Sequence, residues 1–307
     1  MEYNKFKSFY RQLLNNIFKF FLNLIPIRKL RAKLKAAWTK FHIKKYALIA
    51  LDNYDESKIK FNKSDNLVIF QYWEQGIENA PDIIKACVSS IDVFEPDSGH
   101  IILNNKNLEN YVEIPSFIYD LKNKGKIKLP QFSDIVRSYL LASYPCVWAD
   151  SSILLTDKFP KYITDNDFFV FKGNNITPTP EKFACANFFI YSKKPNSILI
   201  QVKDAITEYW KDNDFLISYF THPHFLSLIS NINEENKKLF DKIPYKNEIL
   251  TLRISNLLFE KYNKEKFDKL KAECTVHKCT YKIPDNLKTG IDNTLFGKII
   301  EKYGRKV

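Results

Sequence analysis

Glycine is scarce in this chain: seven residues in 307, beside thirteen prolines, which excludes collagen-like repeats and Pro/Gly-rich low-complexity chains. Cysteine is scarce as well. The five present, Cys87, Cys146, Cys185, Cys274 and Cys279, are odd in number and contain no CxxC pair, so a dense disulfide scaffold is excluded and reduced thiols in a cytosolic setting are expected. Cys274, His277 and Cys279 lie close together, but no second cluster at zinc-finger spacing completes a metal site.

Acidic side chains are nearly missing from residues 1–51. Glu2 stands there against twelve Lys and Arg, so the segment carries +11 of the formal +12 and the remaining chain is almost neutral. The same segment is apolar, with Phe6, Phe9, Tyr10, Leu13, Leu14, Ile17, Phe18, Phe20, Phe21, Leu22, Leu24 and Ile25 ahead of the densest basic run. A bilayer span needs about 20 mostly apolar residues, and Asn15, Asn16, Lys19, Asn23 and Pro26 interrupt this one. Lys19 and the lack of a small-residue cleavage site also argue against a signal peptide. The pattern predicts an amphipathic helical arm lying in the headgroup layer of an anionic membrane; the plainer alternative is a helix packed on the body with its basic face solvated. Nucleic acid is not an expected partner, because phosphate contacts do not call for so many aromatic and aliphatic residues.

With 45% hydrophobic and 15% aromatic residues, the rest of the chain has ample material for a core. Residues 52–65 are polar and read as a linker. Asn66–Trp73 is a β-rich run, and Pro81 opens a helical pattern through Ile83, Ile84, Cys87, Val88 and Ile91 to Phe94. A turn at Pro96, Asp97 and Gly99 leads to a second short strand, His100–Leu103, and a strand–helix–strand unit of this kind builds parallel sheets. Helices are predicted over 115–124 and 130–143, and strands near 147–149, 153–155, 168–171 and 188–191. Helices dominate from Asn196 onward, through 215–229 and 248–262. The class is α/β.

One place stands out for chemistry. Asp134 and Arg137 are three apart and share a helix face, and a short strand then delivers Asp150 to its C-terminal end, where open α/β sheets bind ligands. With Ser151 and Ser152 beside it, such a carboxylate suits a hard cation holding phosphate oxygens. An ordinary helical ion pair and a strand-ending turn aspartate would look the same. His222 and His224 flank Pro223 and read as lining a helix start or an acceptor.

The stretch Gln131–Thr156 (QFSDIVRSYLLASYPCVWADSSILLT) resembles the signature of the bacterial capsular polysaccharide synthesis protein family. That family is a branch of the DXD sugar transferases, related to glycosyltransferase family 32 and the clostridial toxin glucosyltransferases. Phe132, Ser133, Asp134, Arg137, Trp148 and Asp150 fall into its register, and Gln71–Pro81, Ala186–Asn196 and Val276–Lys282 resemble three further elements in order. The resemblance implies a GT-A type fold: a single Rossmann-like nucleotide-sugar-binding domain over 60–285 with a helix-rich C-terminal third, between the arm (1–51) and a C-terminal tail (286–307). It implies a retaining hexosyltransferase that uses a nucleoside diphosphate sugar, uridine diphosphate being the expected carrier, and Mn²⁺ or Mg²⁺. Carried over, Asp134, Arg137 and Asp150 are catalytic. Donor contacts fall to Tyr72, Trp73, Gln75, Asp134, Arg137, Ser152, Asn187, His277 and Lys278, the metal to Asp150, Ser152 and His277, and the acceptor to His224. Ser152 replaces the second Asp of DXD, and Pro145-Cys146 replace the usual Gly-Gly. The expected partners are the donor, a glycan or lipid-linked glycan acceptor and the inner face of the cytoplasmic membrane. The alternative is a non-catalytic nucleotide-sugar- or glycan-binding scaffold of a polysaccharide assembly complex.

Overall fold

The computed structural model describes residues 2–59, 61–62, 67–173, 184–285 and 290–304. Asn66, parts of the 52–65 linker, and residues 286–289 and 305–307 of the expected tail lie outside the described residues. The described elements begin with α1 (Glu2–Asn23) and α2 (Arg28–Asp52), then β1 (Val68–Tyr72), α3 (Asp82–Phe94), β2 (Gly99–Leu103), α4 (Ser116–Asn123), α5 (Leu129–Ser143), β3 (Cys146–Ala149) and β4 (Ile153–Leu155). There follow α6 (Lys161–Thr164), β5 (Phe168–Lys172), β6 (Cys185–Ser192), α7 (Ser197–Asp212), α8 (Thr221–Ile229), α9 (Glu234–Asp241), α10 (Ile249–Leu252), α11 (Ile254–Leu257), α12 (Lys264–Glu273), β7 (Val276–Lys278) and α13 (Leu295–Tyr303).

Five strands form a mixed sheet in the order β2-β1-β3-β6-β5. The α/β class is as expected. β1 runs parallel to both β2 and β3, so the ends of β1 and β3, Tyr72 and Ala149, emerge at one edge. β6 is antiparallel to β3 and brings its N-terminal residues to that same edge, where the Asp150 amide donates to the Phe188 carbonyl (2.8 Å). β1 and β3 are buried through Phe70 and Trp148, with α5 and α7 packed alongside, which is why these strands read as apolar runs rather than alternating ones.

The strand near 153–155 forms outside the main sheet: β4 pairs antiparallel with β7, placing Ile153 opposite Lys278 and Leu154 opposite His277. Two expectations change. The helix expected over 215–229 begins only at Thr221, and 248–262 breaks into the short turns α10 and α11. The residues expected as a tail include α13, which buries Leu295, Phe296, Ile299 and Tyr303 against α3 in a second, smaller core with Leu154, Leu258 and Cys279.

The arm is also part of the body. Ile43, Tyr46, Ala47 and Ala50 of α2 are buried in the main core against α7 and α8. α1 folds back on α2, where Phe18 stacks on Trp38 (4.1 Å between centroids) and the Trp38 indole N–H donates to Asn15 (3.1 Å). Asp212, at the end of α7, ties both helices down: it accepts from Arg11 (2.6 Å), Lys45 (2.6 Å) and Tyr46 (2.8 Å). Burial alone would raise its pKa, but the hydrogen bonds from Arg11, Lys45 and Tyr46 hold the carboxyl well below the usual range. No helix among the described residues is long and apolar enough to cross a membrane.

If α13 is structural, Phe296→Ala lowers stability by about 3 kcal/mol, the lower end for truncating a buried phenylalanine. Urea unfolding reads this, and a change near zero would return 290–304 to a dispensable tail.

Candidate active site

Side chains from four distant segments meet at the sheet edge where β1 and β3 end. There a cavity of about 270 Å³ is lined by Tyr72, Trp73, Asp134, Arg137, Asp150, Ser152, Asn187 and Lys278, among others. Asp150 lies at its centre. Its Oδ1 accepts from Arg137 Nη2 (3.0 Å) and Trp148 Nε1 (2.9 Å), and its Oδ2 accepts from Lys278 Nζ (2.5 Å). Burial alone would raise its pKa, but the charges of Lys278 and Arg137 hold the carboxyl below the usual range.

Arg137 is buried and anchored at both ends of its fork. Nη1 donates to the Asn187 carbonyl (2.6 Å), Nη2 lies 3.4 Å from Asp134, and the guanidinium rests 5.0 Å from the centre of the Trp148 ring. Helical spacing sets Asp134 and Arg137 on one face of α5, as predicted. Asn187 also holds Asp134: its amide donates to Oδ1 (3.2 Å) and lies 3.2 Å from His222 Nδ1. Burial, with the nearby charge of Asp150, pushes the Asp134 carboxyl up to about 7, against the opposing pull of Arg137 and Asn187. Burial, then Arg137, keeps His222 uncharged at neutral pH.

The backbone at Asp150 is pinned from beneath. Gln71 donates through Nε2 to the Asp150 carbonyl (3.2 Å), while its Oε1 meets His100 Nε2 (3.0 Å) and His100 Nδ1 meets Asp92 (2.7 Å). Ser151 donates to the Tyr72 carbonyl (2.7 Å), which joins the β3 turn to the end of β1.

Three of the singled-out residues do not line the cavity. Side chains alternate along a strand, so Lys278 enters the cavity while its neighbour His277 does not line it; His277 is buried beside Thr156 (3.2 Å), where burial and Lys271 lower its pKa to about 4. Gln75 is exposed beyond the end of β1. His224 is buried in α8 and does not line the cavity either. Residues that sequence reasoning missed are Glu74, ion-paired with Lys122 (2.5 Å), and the exposed aromatics Tyr219 and Tyr281, the latter edge-on to Trp73. Tyr281 lies inside the Val276–Lys282 stretch; nothing in the sequence marks Tyr219.

The residues present do not fit the expected Mn²⁺ or Mg²⁺. Both oxygens of Asp150 are engaged by cationic or N–H donors, Ser152 offers a hydroxyl in place of a carboxylate, and His277 is directed elsewhere. Among the described residues no three His, Cys, Asp or Glu side chains are grouped to hold a metal ion, Cys274, His277 and Cys279 included. A cation at Oδ2 of Asp150 would lie beside the Lys278 ammonium, which already donates to that oxygen.

The sequence profile described as capsular polysaccharide synthesis protein matches residues 22–299. The chain belongs to this family. A solved structure titled "PaToxG Glycosyltransferase" is similar over 88% of this chain and 96% of that one, at 13% identity and a TM-score of 0.39. No curated protein matches the chain. Family membership supports a glycosyltransferase role, and the mixed α/β architecture is consistent with the GT-A type implied by the sequence resemblance.

Because the folded Asp134 carboxyl titrates about 7 instead of near 3.8, the native state holds a proton that the unfolded chain has released between those values, so this residue erodes stability as pH rises through that window. The stability of Asp134→Asn relative to the parent therefore increases from about pH 4 to pH 7 and is level above it. Parallel unfolding titrations check the sign; a constant difference would show that Asp134 titrates normally.

Proposed function

We propose that this family member transfers a hexosyl unit from a nucleoside diphosphate sugar to a growing capsular or surface glycan, with retention of configuration. The observation that carries this reading is the half-buried Asp150 carboxylate held between Arg137 and Lys278 in a cavity bordered by Tyr72 and Trp73. In the transfer, an acceptor hydroxyl oxygen bonds to the anomeric carbon as the anomeric carbon–phosphate oxygen bond breaks. The nucleoside diphosphate leaves with the bonding pair, and the hydroxyl proton passes to the departing phosphate or to solvent. Charge therefore builds on the diphosphate.

Arg137 and Lys278 are the cations placed to meet that charge, in a partly buried setting where each interaction is stronger than in water. Asp150 fixes both cations while the site is empty, so little rearrangement is needed when phosphate oxygens arrive. The positive charge expected of Mn²⁺ or Mg²⁺ is assigned instead to these side chains. Asp134 and Asn187 are suited to the donor's sugar hydroxyls: Asp134 accepts when ionised and also donates when protonated. Tyr72 and Trp73, with Tyr281, offer flat faces to the nucleobase or sugar.

A panel of nucleotide sugars, scored for nucleoside diphosphate release, tests the reading. One donor is turned over, and Lys278→Met or Asp150→Asn lowers kcat/KM by about 100-fold or more, the scale of losing one preorganised charge contact. Release persists in EDTA. Loss of release in EDTA with recovery on Mn²⁺ would overturn the assignment of charge to Lys278. Folded protein that neither releases nor binds any nucleoside diphosphate would leave the scaffold reading in its place.

We also propose that the N-terminal helices rest on the anionic inner face of the cytoplasmic membrane. Phe6, Phe9, Phe20 and Phe21 are each at least 59% exposed on α1, and Lys33, Lys40 and Lys44 are exposed on α2. Deleting residues 1–48 would remove core residues Ile43, Tyr46 and Ala47, so the informative variant is Phe6, Phe9, Phe20 and Phe21 all changed to Ser. Sedimentation with vesicles containing about 30% phosphatidylglycerol, a composition whose charge attracts basic segments, is lost in that variant. Equal sedimentation of parent and variant would refute the proposal.

A further inference from the structure

Glu74 lines the same cavity as Asp150, and the transfer step leaves this carboxylate without a task. Neighbouring strands in a sheet lie about 4.8 Å apart, and the order β2-β1-β3-β6 sets three side chains in a row along the cavity: Glu74 just past β1, Asp150 just past β3, and Asn187 on β6. Glu74 is therefore on the opposite side of the central cations from Asn187, which is suited to the donor's sugar. The part of a nucleotide sugar left for the Glu74 side is the nucleoside.

Glu74 belongs to a network whose donors and acceptors are settled by chemistry. Its Oε1 accepts from Lys122 Nζ (2.5 Å); Lys122 also reaches Asn105 Oδ1 (3.4 Å), which accepts from the Tyr72 hydroxyl (3.2 Å). Burial, then the charge of Glu74, raises the pKa of the Tyr72 phenol, so it stays a donor. Lys122 Nζ lies 4.0 Å from the centre of the Phe132 ring, and the Asn105 amide donates to the Glu74 carbonyl (3.2 Å). Both members of the Glu74–Lys122 pair are only 18% exposed, so their neighbours fix how the carboxylate is aimed. Oε2 makes no hydrogen bond among the described residues.

A free acceptor oxygen of this kind calls for a neutral donor group. Phosphate is repelled by like charge and has Arg137 and Lys278 beside it instead. At about 270 Å³ the cavity is small beside the roughly 300–1,000 Å³ of most ligand sites, so the flat base is left to the rim, where exposed Tyr281 meets Trp73 edge-on. Between diphosphate and base lies the ribose, whose hydroxyls can donate to Oε2.

We infer that Glu74 is a specificity-determining residue that accepts a hydrogen bond from the 2′-hydroxyl of the donor's ribose, so that the cavity selects ribonucleotide-linked sugars over 2′-deoxyribonucleotide-linked ones. This deepens the donor reading of the same cavity and rests on it. A deoxy carrier removes water from the carboxylate without supplying the hydroxyl, and that unpaired charge is the source of the selection. Lys122 is a positioning residue, acting through Glu74.

Calorimetry with the full chain tests this by comparing UDP with 2′-deoxy-UDP, and GDP with 2′-deoxy-GDP, each pair differing only in the 2′-hydroxyl. The parent binds the ribonucleotide of its preferred pair about 10-fold or more tightly than the deoxy form, the scale of one hydrogen bond to a charged group. Glu74→Gln, which keeps the side chain's size and leaves Lys122 a carbonyl partner, lowers that ratio by about 3-fold or more, and Glu74→Ala brings it to within about 2-fold of unity. The ratio is taken within one protein, so a change in a variant's stability does not move it. Equal binding of both members of each pair by the parent would overturn the inference, as would a ratio that survives both substitutions. Weaker binding of both members at an unchanged ratio would also overturn it, by setting Glu74 against the base. Binding of none of the four nucleotides would overturn the donor reading itself, and this inference with it.

Discussion

A half-buried carboxylate flanked by two cations organises the centre of this molecule. Asp150 would be costly to bury alone, and Arg137 or Lys278 would be costly without it; together they hold the end of β3, the inner face of α5 and the last residue of β7 at one point. The rest of the architecture serves that meeting. The parallel pair of β1 and β3 sets the level of the strand ends, antiparallel β6 delivers Asn187 to it, and the small β4–β7 ladder turns Lys278 inward. Removing either cation would leave the other charges unbalanced in a partly dry cavity. These interactions therefore serve the stability of the empty site.

Much of this was legible in the sequence, and the parts that were not share a cause. The spacing of Asp134 and Arg137 is a local property of α5, and Asp150 follows an apolar strand, so both could be read along the chain. His277 and Lys278 could not be separated, because which of two neighbours faces the cavity depends on register with β4, a pairing between residues more than a hundred positions apart. The Gln71–His100–Asp92 chain beneath Asp150 was hidden for the same reason: it crosses from β1 to β2 to α3. Tyr219 carries no periodic signal at all. The fold class was visible in the alternation of strands and helices, while the helix-rich final third was overextended, since apolar residues around 248–262 fill a core through short turns as well as they would through a helix.

The N-terminal helices illustrate a subtler limit. Their charge and apolar content were evident, but α2 has apolar residues around much of its circumference, with Ile43, Tyr46 and Ala50 inward and Phe41, Leu48 and Ile49 outward. Periodicity alone cannot say which set meets protein. Asp212 decides it, by drawing Arg11, Lys45 and Tyr46 onto the end of α7. The outward residues are then left as a coherent surface, and a rigid mount gives that surface a fixed orientation relative to the Asp150 cavity. An unattached arm would tether the domain; a docked one also aims it.

The β4–β7 ladder has a consequence for how the molecule is made. Asp150 and Lys278 are separated by 128 residues of chain, and a ribosome adding about 5–20 residues per second needs on the order of ten seconds to supply that length. Throughout that interval the nascent domain has its central carboxylate and its arginine but lacks the lysine, and α13, which closes the second core, emerges later still. The half-made protein therefore carries an unfinished cavity with incompletely balanced charge, and final consolidation waits until the C-terminal segment clears the exit tunnel. Premature termination between Thr156 and Lys278 would yield a chain that possesses the most recognisable motif of its family but lacks the completed site.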